Sequence, residues 1–395
     1  MNKKVLALAV AGAFAAPAAA FAQASNVQIF GTMYMEYAYA KQGSNSPIGS
    51  GELVNIDLLQ SPGSEIGIRG EEALGGGMSA WFQCASTADI RGAGTGGGSQ
   101  GFCGRNSAIG LKGAFGNVYA GNWDMPMKKT AGAVRITSDT GVWGSGFMLF
   151  NNSSSFNDRG NPGSFSRRSN NSIFYDSPVF SGFQVLTAVS TPSQAIAVAT
   201  SNLSGAKPRA WGVAANYTNG PLLVTAGYEN HSNFQPGGFA YSGTDTGYQL
   251  GASYQVGPVK VGALYTKQKL DTSATAAAQT DLSVSAWNIA GEWAIQGPHS
   301  LRGGYTKANN TSGSFIGVVG AAGSGQRIGN AGAGATGGSI WQIQYVYSAS
   351  KRTEMTAGYV ALSNDQNARY SLGGFTQPAG GVSQTAFAIS IKNTF

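Results

Sequence analysis

The stretch VQIFGTMYME, residues 27–36, alternates with a period of two: Val27, Ile29, Gly31, Met33 and Met35 fall on one side, and Gln28, Thr32, Tyr34 and Glu36 on the other. Successive side chains of a β-strand point to opposite faces, so this segment reads as a strand with one apolar and one polar face. Near the other end of the chain, Phe387, Ile389 and Ile391 point one way while Ser390 and Lys392 point the other. Sixteen such segments can be counted, beginning near Val27, Leu53, Met78, Arg105, Asn117, Asn171, Phe183, Arg209, Leu222, Gly247, Val259, Val284, Ser300, Ser339, Thr353 and Thr385. Seven connections are tight: Glu71 to Gly76, Gly113 to Gly116, Pro178 to Gly182, Asn219 to Pro221, Gly257-Pro258, Gln296 to Pro298 and Ala349 to Arg352. The others are long and rich in Gly, Ser and Asn. Strict alternation of short and long connections predicts an all-β fold, a sixteen-stranded antiparallel transmembrane β-barrel with its apolar face outward and both termini at the short-turn rim. A soluble β-sandwich also alternates, but its loops do not sort by length between two sides.

Composition agrees. The 395 residues include 59 Gly, 16 Tyr and 19 Phe with only 11% charged residues, a poor recipe for a soluble globule or for disorder. After the N-terminus no apolar run approaches the roughly 20 residues that a membrane helix needs. A membrane protein without such helices must be a closed barrel, because only those two structures satisfy every backbone group in hydrocarbon. Tyr37, Tyr39, Tyr217, Tyr228, Tyr254, Tyr265, Tyr345 and Tyr347 gather near segment ends, where interfacial girdles belong.

The first residues read as an export signal: Lys3 and Lys4, an apolar core from Val5 to Phe14, and an A-x-A site at Ala20-Phe21-Ala22. Residues 1–22 are therefore expected to be removed, leaving residues 23–395 as one barrel domain. An N-terminal anchor is the alternative, but the apolar stretch is short and ends in small residues with Pro17. The net charge of +7 falls to +5 without the two signal lysines, a modest excess assigned to loops and lumen. No basic cluster is interleaved with aromatics in a helical pattern, so nucleic acid is not an expected partner. Export leads to an oxidising compartment, so Cys84 and Cys103, both near the top of one hairpin on one face, are expected to pair; two free buried thiols are the alternative.

Catalysis finds little support. A serine or cysteine nucleophile needs a base beside it, and the two histidines, His231 in a long loop and His299 at a tight turn, are expected at opposite ends of the barrel. G-x-G-x-x-G matches at Gly92, Gly94 and Gly97 and at Gly332, Gly334 and Gly337 lie in loops without the strand and helix that a dinucleotide site needs. No metal-ligand spacing occurs, and neither cofactor nor enzyme activity is expected.

Several motifs, in order, resemble the Gram-negative trimeric porins of the β-proteobacterial type: NVQIFG (26–31), GSEIGIRGEEALGGG (63–77), GLKGAFGNVYAG (110–121), NSIFYDSPVFSGF (171–183), SKRT (350–353) and the terminal Phe395. The resemblance implies a homotrimer in the lipid of the outer membrane of a Gram-negative bacterium, passively admitting ions and small hydrophilic solutes. It implies that Phe395 is a signal for the barrel-assembly machinery, which a free strand edge can engage by strand addition. It also implies that the third extracellular loop, residues 124–170, bends into the lumen. A barrel of this size leaves an aqueous channel that must be narrowed from within. The loop charges Asp124, Lys128, Lys129, Arg135, Asp139, Asp158, Arg159, Arg167 and Arg168, with Glu36, Glu65, Arg69 and Lys112 on the lumen wall, are the candidates for setting the field there. Many relatives place arginines at positions corresponding to Glu65, Asn122 and Phe174; none is basic here, which leaves the sign of ion selectivity open. The alternatives are an outer-membrane hydrolase, which would need histidine and serine at one depth, and a plugged or adhesive barrel using loops such as Asn309 to Gly338. A plug needs an apolar core, whereas the third loop reads as polar apart from Phe147 to Phe150.

Overall fold

The computed structural model describes residues 26–42, 55–91, 101–137, 140–145, 165, 167–191, 209–232, 244–271, 281–313, 334–375 and 380–395. The expected export signal, residues 1–22, lies outside them, as do Asp139, Asp158, Arg159 and Phe147 to Phe150. Eighteen hydrogen-bonded segments make one antiparallel sheet. They amount to sixteen barrel strands: β1 Asn26–Gln42, β2 in two segments (Asn55–Gln60 and Glu65–Gly75), β3 Met78–Thr87, β4 Ser107–Gly113, β5 Gly116–Asp124, β6 Arg168–Asp176, β7 Phe183–Ser190, β8 Arg209–Asn219, β9 Leu222–Ser232, β10 Thr244–Val256, β11 Val259–Asp271, β12 Asp281–Gln296, β13 His299–Ala308 continued by Ser312–Gly313, β14 Gly338–Ser348, β15 Thr353–Asn364 and β16 Gln384–Thr394. Both segments of β2 run antiparallel to β1 and pair with successive halves of it, so they are one strand with a break. The strand starts read from alternation fall within three residues of these.

Six of the seven tight turns occur where the sequence places them; the first, expected over Glu71 to Gly76, lies at Gly76-Gly77, because β2 runs on to Gly75. Three have the same chemistry, Gly220-Pro221, Gly257-Pro258 and Gly297-Pro298, with the glycines at φ of +54°, +52° and +58°. Only glycine takes that left-handed conformation without strain.

Every strand pairs with its neighbours, and β16 closes on β1 from Thr32↔Thr394 to Gln42↔Gln384, so the sheet has no free edge. At the seam the Phe395 N–H donates to the Gly31 carbonyl and the Gly31 N–H to the Phe395 carbonyl, each at 3.1 Å. The outward face is apolar: Val27 and Ile29 are 58% and 69% exposed, while Gln249, Gln342 and Gln344 are buried on the inward side. That is the inverse of a soluble barrel and the arrangement that hydrocarbon requires.

The connection from β5 to β6, loop L3, folds inward. Helix α1, Pro126–Val134, follows β5 directly and places Met127, Thr130, Ala131 and Val134 on one buried face at the i, i+3, i+4, i+7 spacing. It runs along the inner wall of β7 to β11. A 3-10 turn at Gly141–Gly144 then lands on β1. The reading of L3 as polar is corrected here: Met125, Met127, Val134, Val142 and Trp143 are all buried, and they pack against the wall. The last long loop also folds in; Gln60 and Ser145 both hydrogen-bond to Gly373, at 3.2 and 2.9 Å.

Candidate functional site

L3 is fixed to the wall at three places. At its root, Asp124 Oδ1 lies 2.9 Å from Lys128 Nζ and 3.3 Å from Arg168 Nε, while Asn106 donates to Oδ2 at 2.9 Å. Asn106 Oδ1 also accepts from Arg168 Nε at 2.7 Å. One carboxylate thus ties the outgoing helix to the returning strand. Beside it, Lys129 Nζ sits 2.7 Å from Asp176 and 3.1 Å from the Tyr119 hydroxyl, above the Tyr119 ring. Lys128 and Lys129, expected to act on passing ions, are therefore first of all ion-paired anchors.

At the tip, Glu36 accepts hydrogen bonds from the Val142 backbone N–H at 3.0 Å, the Tyr34 hydroxyl at 2.6 Å and the Gln60 amide. Glu36 is 0% exposed, which corrects its reading as a charge on the open lumen wall: its role is to hold the loop. On the returning leg, Phe165 stacks on His231 with ring centroids 4.4 Å apart, and His231 Nε2 is 2.7 Å from Glu229 Oε1. His231 is thus a buried residue of β9, not of a loop. The alternation weakens at the top of that strand, where Asn230 is buried as well.

The wall opposite α1 holds the remaining charges. Glu65 pairs with Arg105. Arg105 reads in the sequence as the start of a strand and not as a charge of the bore, because nothing local pairs it with Glu65, 40 positions away. The signal lay in the cysteines: a disulfide joins Cys84 and Cys103, with Cα atoms 4.6 Å apart, and the Arg105 N–H then bonds to the Ala85 carbonyl at 2.9 Å. The other two positions where relatives carry arginine are structural here. Asn122 donates to the carbonyls of Gly104 and Arg105 at 2.8 and 3.0 Å, and Phe174 stacks on Tyr119 with centroids 5.0 Å apart. Trp81 and Trp123 extend that aromatic cluster.

Arg69 donates to Gln28 at 3.2 Å and lies 5.1 Å from the centre of the Phe30 ring, with no acidic partner among the described residues. Lys112 is next to the Gly113 to Gly116 turn, paired with Glu71 at 3.0 Å and placed over Trp81, which puts it toward the periplasmic mouth. Arg135 is half-buried, caps the end of α1 through its backbone and has its interactions within the protein. Among the described residues no group of three His, Cys, Asp or Glu side chains is placed to hold a metal ion.

The geometry is that of a membrane barrel whose bore is narrowed from within by L3, with the last long loop folded in beside its tip. Comparison with known proteins agrees over the whole chain. A family model described as Gram-negative porin matches residues 7–367. Outer membrane porin protein 32 of Delftia acidovorans is 27% identical over 406 residues, covering 100% of both chains. Major outer membrane protein P.IB of Neisseria lactamica is 30% identical over 221 residues, 55% of this chain and 56% of its own. The solved anion-selective porin from Comamonas acidovorans shares the fold with a TM-score of 0.71 at 21% identity, covering 94% of this chain and 100% of its own. OmpT of Vibrio cholerae, solved in a trimer form, follows at 0.62 and 14% identity, covering 94% of this chain and 100% of its own. The chain belongs to the Gram-negative porin family and is an outer-membrane diffusion channel.

Proposed function

We propose that the passage between L3 and the wall of β2 to β5 admits small hydrophilic solutes with a mild preference for anions, and that Glu65, Arg69, Asp124, Lys128, Lys129 and Arg135, with Arg105 and Arg168, set its field. The observation that carries this reading is the imbalance of pairing. Asp124 is shared by two cations, Lys128 and Arg168, and Arg69 has no acid beside it among the described residues. Glu65 and Asp176 are each matched by one base. Charges focused between low-dielectric walls concentrate counter-ions; pairing keeps the excess small, so selectivity is mild. The likeness to a porin described as anion-selective supports the sign. Lys112, neutralised by Glu71, contributes little at the mouth. The described part of L3 follows the wall, which speaks against a plugged or purely adhesive barrel.

Three further parts belong to this reading. Residues 1–22 are the export signal; the channel works as a homotrimer; and Phe395 is read during assembly, when the β16 edge has not yet closed on β1. The test is a planar-bilayer recording of the purified protein in a salt gradient. A reversal potential of the anionic sign, with steps in triplets, is expected; a cationic sign would overturn the assignment of the field, and single steps the trimer.

A further inference from the structure

Outside the lumen, the outward face of β7 to β11 carries an apolar trough of about 460 Å³, lined among others by Val213, Ala215, Ala226, Tyr228, Tyr248 and Tyr265. The trough follows from size: Ala215 and Ala226 are small beside the tyrosines, and Tyr228 and Tyr248 stack at 6.4 Å. Tyr265 points outward, so Lys267 and Lys269 on the same strand point outward too, toward the long-loop rim, and both are exposed. The pairing places Lys267 across from Tyr248, and Lys269 across from Thr246. Three strands from the lysines, Arg209 starts β8 at the same rim, across from Ser232, and is exposed as well. None of the three cations has an ion pair among the described residues.

We propose that this face binds a lipid bearing phosphate on its headgroup, with one acyl chain in the trough and the headgroup held by Arg209, Lys267 and Lys269. Tyrosine at the interface marks the level where chain gives way to headgroup. Lysine and arginine just beyond it reach outward along their apolar stems and attract anionic headgroups. Charge complementarity selects the occupant. A protein partner would have to cover three exposed cations that have no ion pair among the described residues, whereas a phosphate supplies the charge and several acceptor oxygens. The inference rests on the outer-membrane assignment and is independent of the ion selectivity proposed above.

The test is native mass spectrometry of the detergent-solubilised protein offered phosphatidic acid or phosphatidylcholine with identical acyl chains. We expect at least tenfold greater retention of phosphatidic acid, lost when Arg209→Gln, Lys267→Gln and Lys269→Gln are combined and kept when both lysines become arginine. Ala226→Leu, which fills the trough, should weaken retention, and inorganic phosphate should not displace the lipid. Equal retention of the two lipids by the native protein would overturn the proposal, as would a preference that survives the triple substitution. Full displacement by inorganic phosphate would reduce the site to an ion site. A triple variant that changed oligomeric mass would instead identify the face as a contact between copies. Unchanged single-channel conductance in all variants would show that the barrel is intact, because these residues lie outside the lumen.

Discussion

Replacing Glu36 by alanine should release the tip of L3. The carboxylate accepts from Val142, Tyr34 and Gln60, and all of these atoms are buried. After Glu36→Ala the Tyr34 hydroxyl can rotate and the Gln60 amide still has the Gly373 carbonyl at 3.2 Å. The Val142 N–H cannot turn, because it belongs to the backbone. A hydrogen bond to a charged group contributes about 1.5–3 kcal/mol and a buried unsatisfied donor costs about 1–3 kcal/mol, so the tip should lose about 3 kcal/mol of attachment. At about 1.4 kcal/mol per tenfold, the detached population rises roughly a hundredfold. The assay is single-channel recording at constant voltage: the variant should show frequent brief fluctuations and a shifted mean conductance, while its folded mobility on electrophoresis is unchanged. Glu36→Gln, which keeps one acceptor oxygen, should fall between the two. If Glu36→Ala conducted with native amplitude and noise, the Glu36 to Val142 contact would not be what holds the constriction.

Three other outcomes are expected. Glu65→Gln leaves Arg105 without its acid; one added charge about 10 Å from the axis in water is worth about 0.4 kcal/mol for an anion and the opposite for a cation, so the anion-to-cation permeability ratio should rise about fourfold, and Arg69→Gln should lower it, both read from reversal potentials. At Gly31 a Cβ would lie 2.6 Å from Phe395 Cζ, so Gly31→Val strains the closing seam; overpacking of this kind costs about 1–3 kcal/mol, seen as a smaller heat-modifiable folded fraction on refolding. Cys84 and Cys103 are 19 residues apart, and replacing both by serine removes a link worth about 3 kcal/mol in the entropic model; the loop they close should be cut sooner in limited proteolysis while conductance persists.

Strands were legible because a membrane barrel must repeat one rule, apolar outward and polar inward, without exception across its hydrocarbon band. Val27 and Ile29 at one end and Phe387 and Ile389 at the other obey it, and each is exposed on the outer face. The site was legible only as a list of charges. Lys128 and Lys129 are adjacent in sequence yet serve different acids, Asp124 on β5 and Asp176 on β6, a distinction set by tertiary position. Glu36 looked like any lumen residue of β1, since nothing local reveals that Val142, 106 positions away, will cover it. Missing the apolar side of L3 was avoidable: Met127, Thr130, Ala131 and Val134 already have helical spacing.

The path of L3 has a physical cause in the wall beneath it. Glycine inside a strand weakens the strand unless something must approach the backbone closely. On the inward side of five strands, Gly212 of β8 meets Pro126, Gly227 of β9 meets Met127, Gly251 of β10 and Gly262 of β11 meet Val134, and Gly304 of β13 meets Thr137. A Cβ at Gly227 would lie 3.0 Å from Met127 Cγ, and one at Gly251 would lie 2.9 Å from Val134 Cγ2. Side chains on those strands would lift the loop off the wall and into the bore. The glycines instead form a shallow track in which α1 and the residues after it lie flat, ending where Val142 reaches Glu36. Part of the aperture is therefore set by what the wall lacks, and the charged residues of L3 stand at a distance from the opposite wall that this track determines.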